Sequence, residues 1–181
     1  MNLPNKITIA RVLMIPIYLI FMLVTAIPYG RLIAAIIFTV AAITDAIDGY
    51  IARKRNLITN FGKFMDPLAD KLLVCSALIC FVEFDQMSSW IAIIIIAREF
   101  IISGFRLIAS DNNVVLAASW WGKIKTNVQV VMSVLLIVNL DYPFFNLLEI
   151  ISIYLATALT VISLVDYLYK NRQLLSNGNL K

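Results

Sequence analysis

The pattern Asp45-x-x-Asp48-Gly49-x-x-Ala52-Arg53, then eight residues, then Gly62-x-x-x-Asp66-x-x-x-Asp70, sets four of the chain's 11 acidic residues between two long apolar runs. Carboxylates at the edge of a hydrocarbon phase are costly, so a chain that keeps them there marks a functional site. Asp45 and Asp48 stand three apart at the end of one helical run, and Asp66 and Asp70 stand four apart at the start of the next. Each pair therefore projects from one helix face. Two helices joined by a short loop can bring all four together. Like charges in one pocket need cations between them, and hard divalent ions such as Mg²⁺ or Mn²⁺ prefer oxygen ligands. The spacing predicts a two-metal site.

Composition sets the surroundings of that site. The 181 residues are 61% hydrophobic and 14% charged, with a mean hydropathy of +0.89. Such a chain is not an ordinary soluble domain; it reads as an all-α integral membrane protein, one domain over 1–181. No charged leader and small-residue cleavage site precede the first apolar run, so no removed signal peptide is expected. The absence of histidine excludes imidazole metal sites and histidine acid–base catalysis. Cys75 and Cys80, inside an apolar run, read as buried small hydrophobes. The net charge of +4 suits anionic lipids, and no nucleic-acid partner is expected.

Six apolar segments, near 12–28, 31–52, 66–84, 88–109, 124–140 and 146–168, meet the requirement of about 20 residues per span. Lys6 and Arg11, then Arg53, Lys54, Arg55 and Lys63, then Lys123 and Lys125, then Lys170, Arg172 and Lys181 flank alternate ends. By the positive-inside rule the expectation is six transmembrane helices, with both termini and the Asp45–Asp70 stretch cytosolic. Leu3 to Arg11 is amphipathic and predicts a short juxtamembrane helix; Pro16 predicts a kink in the first span. Asp66 followed by Pro67 predicts a helix start there, with Gly62 in the preceding loop. Trp90, Trp120, Trp121, Tyr142 and Tyr167 fall near span ends, where an aromatic belt is expected.

The acidic stretch matches, at all eight specified positions, the signature of the CDP-alcohol phosphatidyltransferase family, which it resembles. That family transfers a phosphatidyl group from a CDP-linked lipid to an alcohol and releases CMP. The resemblance implies that Asp45, Asp48, Asp66 and Asp70 hold two Mg²⁺ or Mn²⁺ ions and that Asp70 is also the base for the attacking hydroxyl. It implies that Arg53 meets the diphosphate, and that Asp45, Gly49, Ala52, Thr59 and Gly62 shape the site for CDP-diacylglycerol. Asn5, Thr8 and Arg11, in a Pro-Asn-x-x-Thr-x-x-Arg stretch, are implied to help hold the cytidine nucleotide. A homodimer in a bacterial-type cytoplasmic membrane, among membrane lipids, is implied in the same way. Spacing alone supports only the metal cluster and a nearby cation.

The acceptor alcohol is a separate question. Arg98 and Glu99 lie mid-segment, and an arginine at such depth normally faces a cavity or a partner. An internal network of Arg98 with Glu99 or an aspartate is one reading. The other is an anion pocket in which Arg98, Arg106, Lys123 and Lys125 bind an acceptor's phosphate. Residues 98–106 and 121–126 resemble the bacterial branch of the family that uses glycerol 3-phosphate and makes phosphatidylglycerophosphate. Inositol phosphate satisfies the same charge argument; free inositol or serine would not need four cations. A divalent-cation transporter is a rival of another class, but it would place carboxylates near the bilayer centre, often in repeats.

Overall fold

Short turns between the apolar runs leave six helices, and no strand, among the described residues. They are α1 (Leu3–Leu23), α2 (Gly30–Arg55), α3 (Asn60–Glu83), α4 (Ser89–Asp111), α5 (Trp120–Val138) and α6 (Pro143–Lys170). The computed structural model describes residues 3–55, 60–111 and 119–172. Within its helices the side chains of residues 3–8, 45–55, 60–67, 70, 108, 110 and 111 are not described.

The chain is all-helical as predicted, with three local differences. The expected separate N-terminal helix is absent as an element: Leu3–Leu23 is one helix that continues through Pro16. No glycine or proline stands between Ile7 and Met14 to interrupt its hydrogen bonding. Second, α3 already includes Asn60, so Gly62 lies inside the helix and Asp66 is not its N-cap. Third, Tyr167 is buried at 2% exposure, its ring edge-on to Phe105 at 6.5 Å, and does not join an aromatic belt. Trp90, Trp120, Trp121 and Tyr142 are exposed.

Helix α1 packs on both α2 and α3, α2 packs on α5, and α5 packs on α6, which also holds α4. Ile15, Tyr18 and Met22 of α1 recur every three or four residues and are buried, with Tyr18 against Phe38 of α2 at 6.0 Å. The buried faces use small residues freely: Ala34, Ala35 and Ala41 on α2, Ala77 on α3, Ala156 on α6. Large aliphatics such as Leu13, Ile36, Ile79, Ile93 and Val165 point outward. Small residues at the helix contacts and aliphatics on the outer faces suit a bundle surrounded by hydrocarbon. Among the described residues, α5 and α6 are long and apolar enough to cross a membrane, and Ile9–Leu23 and Gly30–Thr44 are shorter apolar stretches.

The turns joining α1 to α2, α3 to α4 and α5 to α6 lie at the end of the bundle away from Asp45–Asp70. Each contains a left-handed residue: Tyr29 (φ 58°), Asp85 (φ 56°) and Asn139 (φ 46°). Asn139 donates its N–H to the Leu135 carbonyl at 2.9 Å and closes α5. Gln86 donates to the Leu136 carbonyl at 2.9 Å and ties the α3–α4 turn to α5. At Gly30 a Cβ would stand 2.7 Å from the Phe21 carbonyl oxygen, whereas at Gly104 nothing lies within 4 Å. Gly30→Ala should therefore cost about 1–3 kcal/mol, and Gly104→Ala, inside α4, should gain about 0.5–1 kcal/mol. Thermal unfolding in detergent checks both; a Gly30→Ala protein as stable as the parent would contradict the close approach.

Candidate active site

The acidic stretch is divided between two consecutive helices that contact each other. Asp45, Asp48, Gly49, Ala52 and Arg53 occupy the last three turns of α2, and Gly62, Asp66 and Asp70 the first three of α3. The rise is roughly 4.5 Å from Asp45 to Asp48 and 6 Å from Asp66 to Asp70. The side chains of these residues, and of Asn5 and Thr8, lie outside the described residues, as does Thr59 entirely. Among the described residues no three histidine, cysteine or carboxylate side chains gather. The side chains of the four aspartates lie outside the described ones; as an all-oxygen donor set they would suit a hard divalent ion.

Immediately beneath this stretch lies a cavity of about 440 Å³. Ile43, two residues before Asp45, lines it from α2; Lys71, next to Asp70, lines it from α3. Arg11 reaches it from α1 and is only 3% exposed, so the predicted nucleotide-binding arginine stands at this cavity. Glu99 enters from α4, and Thr126, Asn127, Gln129 and Ser133 line it from α5. Phe38, Ala41, Leu73, Val74 and Val130 make the rest of its wall largely apolar. The space is polar where it adjoins the aspartates' helix ends and apolar further down α2 and α3.

Beside the cavity sits a buried charge cluster. Lys125 of α5, fully buried, forms an ion pair with Glu99 of α4. Arg98 donates from Nη1 to Glu99 at 3.3 Å and from Nε to the Ser163 hydroxyl of α6 at 3.2 Å. Ser163 in turn donates to the Thr160 carbonyl at 3.0 Å. The guanidinium lies over α5 at Gly122, where a Cβ would stand 3.4 Å from Nη2. Of the four predicted acceptor-binding cations, Arg98 and Lys125 are thereby brought together on one carboxylate. Arg106 and Lys123 are exposed on the same two helices. Nearer the surface, the Ser119 hydroxyl donates to Asp166 at 2.7 Å, and Lys170 pairs with the same carboxylate at 2.8 Å. These contacts pin the start of α5 to the end of α6.

Sequence reasoning did not single out Lys71, Gln129 or Ser133, nor the contact of Lys125 with Glu99. Lys125, Gln129 and Ser133 recur every four residues within an apolar run, a periodicity that marks one helix face. All three are buried.

Removing one partner of a buried ion pair costs about 3–5 kcal/mol. Glu99→Gln should therefore lower the stability of the protein by an amount of that order, and Glu99→Gln with Lys125→Met should recover part of it. Thermal unfolding of the three proteins decides the matter; a Glu99→Gln protein with unchanged stability would show that the carboxylate does not hold the cluster.

Comparison with known proteins places this architecture. Residues 1–162 match the CDP-alcohol phosphatidyltransferase family. A Bacillus subtilis protein named CDP-diacylglycerol--glycerol-3-phosphate 3-phosphatidyltransferase is 46% identical over 195 aligned residues, covering 98% of this chain and 99% of that protein. A Haemophilus influenzae protein of the same name is 40% identical, with 92% and 91% covered. A probable phosphatidylglycerophosphate synthase of Mycobacterium tuberculosis is 38% identical over 92% of this chain and 79% of its own length. With the eight-position acidic signature lying on the paired ends of α2 and α3, and the match running through most of the bundle, the chain belongs to the CDP-alcohol phosphatidyltransferase family.

Proposed function

We propose that this chain transfers the phosphatidyl group of CDP-diacylglycerol to sn-glycerol 3-phosphate, giving phosphatidylglycerophosphate and CMP. The observation that carries this reading is near end-to-end similarity to a relative named for that reaction. The buried and exposed cations of α4 and α5 support it, because glycerol 3-phosphate is an anionic acceptor and needs positive partners.

In this reading the chain spans a bacterial-type cytoplasmic membrane six times, with both termini and the acidic stretch at the cytosolic face. The placement of Lys and Arg at alternate helix ends supports that topology. A homodimer is the expected assembly. Asp45, Asp48, Asp66 and Asp70 would hold two Mg²⁺ or Mn²⁺ ions. When bound, such ions neutralise the diphosphate and the charge that develops as CMP leaves. Asp70 takes the proton of the attacking acceptor hydroxyl, a role open to a carboxylate in a chain without histidine. Arg53 meets the diphosphate; Asn5, Thr8, Arg11, Gly49, Ala52, Thr59 and Gly62 enclose the nucleotide end of the lipid. Arg106 and Lys123, being exposed, are the cations first met by an acceptor arriving from water, and Arg98 and Lys125 lie behind them.

The direct test is CMP release by the purified protein from CDP-diacylglycerol with a panel of acceptors, in Mg²⁺ or Mn²⁺ and in excess chelator. Glycerol 3-phosphate should be the best acceptor and chelator should abolish release. Inositol phosphate as the better acceptor would overturn the acceptor assignment, and full activity in chelator would overturn the metal step. In the same assay Asp70→Asn should lower kcat about 10²–10⁴-fold. Arg106→Ala and Lys123→Ala should raise KM for the acceptor more than for the lipid nucleotide. Near-normal turnover by Asp70→Asn would remove it as base, and equal rises in both KM values would remove the phosphate pocket.

A further inference from the structure

The cavity beneath the acidic stretch contains two polar groups that the bundle leaves unsatisfied. Gln129 is 4% exposed and Ser133 fully buried, and both line the cavity from one face of α5. Gln129 Nε2 and Ser133 Oγ have no hydrogen-bond partner among the described residues. The other hydroxyls in the lining are consumed by their own helices: Thr39 donates to the Ala35 carbonyl at 2.7 Å, and Thr126 to the Gly122 carbonyl at 2.9 Å. Leaving a buried donor unmet costs about 1–3 kcal/mol. A half-turn about the last torsion of Gln129 exchanges its amide N and O, and the Ser133 hydroxyl rotates, so both can present a donor to the cavity they line.

The cavity's shape and polarity indicate what they receive. Its lining includes Ile43 of α2 and Val131 of α5, 54% and 57% exposed, so it opens sideways through an apolar flank of the bundle. Its upper part, at Lys71 and Arg11, adjoins the aspartates; its lower part is walled by Phe38, Leu73 and Val130. A diacylglycerol has the same order of chemistry: phosphate, then ester carbonyls a few bonds below, then alkyl chains. An ester carbonyl accepts hydrogen bonds and donates none, so it matches a pair of unmet donors. A small polyol would bring donors of its own, and the lower wall of Phe38, Leu73 and Val130 offers them nothing to bond with.

We infer that Gln129 and Ser133 donate hydrogen bonds to the ester carbonyls of the lipid substrate, setting how deep its glycerol backbone sits below the aspartates. This rests on the reaction proposed above, in naming which part of its lipid substrate these residues read.

The test uses the purified full-length protein in mixed micelles, with glycerol 3-phosphate as acceptor. CDP-diacylglycerol is compared with its ether-linked dialkyl analogue of equal chain length, which lacks the carbonyls. The parent protein should prefer the ester substrate in kcat/KM by about three- to tenfold, the worth of one neutral hydrogen bond. In Gln129→Leu and in Ser133→Ala the preference should shrink toward unity, with KM for the acceptor little changed. Should Gln129→Leu fail to fold, Ser133→Ala carries the same measurement. No ester preference in the parent, or an undiminished one in the variants, overturns the inference while leaving the reaction standing. A rise confined to the acceptor KM overturns it too, since a polyol would then occupy the cavity. No CMP release at all by the parent would overturn the assigned reaction, and this inference with it.

Discussion

A charge kept inside an apolar bundle must be met by another, and the contact of Lys125 with Glu99 is where this chain meets that demand. Two cations from two helices, Lys125 and Arg98, converge on one carboxylate. Desolvation makes such a cluster a poor source of stability relative to apolar packing. Its place next to a cavity is therefore better explained by position than by stability: it fixes α4 and α5 relative to each other, and in the proposed reading this is the level at which the anionic acceptor is received.

The remaining helices fit around that fixed point. Helix α6 does not line the cavity, yet it braces both helices that hold the cluster, at Ser163 to Arg98 and at Asp166 to Ser119. The three tight turns at the far end, each with a left-handed residue, send the helices out and back with little slack. The ends of α2 and α3 that carry the aspartates lie at the opposite face. Small residues along α2 let α1 and α5 approach it closely, which is how five helices come to share one cavity wall.

Much of this is legible from residues alone, and the failures have identifiable causes. Long apolar runs locate the helices because burial and backbone satisfaction both favour them. The aspartate spacing identifies the family, because few structural needs place four carboxylates beside hydrocarbon at those intervals. Tyr167 was misassigned because a position near a span end gives depth and not facing; its neighbour Phe105 comes from another helix. The start of α3 was misplaced because Pro67 looks like a first-turn residue, although a proline early in a helix forfeits only one backbone bond. The Lys125–Glu99 pair could not be read because sequence shows Arg98 beside Glu99 but gives no sign that a lysine 26 residues later faces them. Gln129 and Ser133 carried a readable period of four from Lys125, but isolated polar residues in apolar helices are ordinarily satisfied, and only the packed structure shows that these two are not.

That single face of α5 links the site's chemistry to its membrane setting. Descending it, Lys125 is a paired charge, Gln129 a neutral amide, Ser133 a hydroxyl and Leu136 a hydrocarbon. Polarity therefore declines by steps over about 16 Å of helix. A wholly polar wall would favour water and soluble alcohols throughout, exposing a diphosphate to hydrolysis; a wholly apolar one would exclude the headgroup. A graded wall instead favours a molecule whose own polarity falls in the same order and penalises one that is polar at both ends. In the proposed reading, substrate selection by depth follows from the order of residues on one helix, and the aspartates on α2 and α3 act on the phosphate that this depth presents to them.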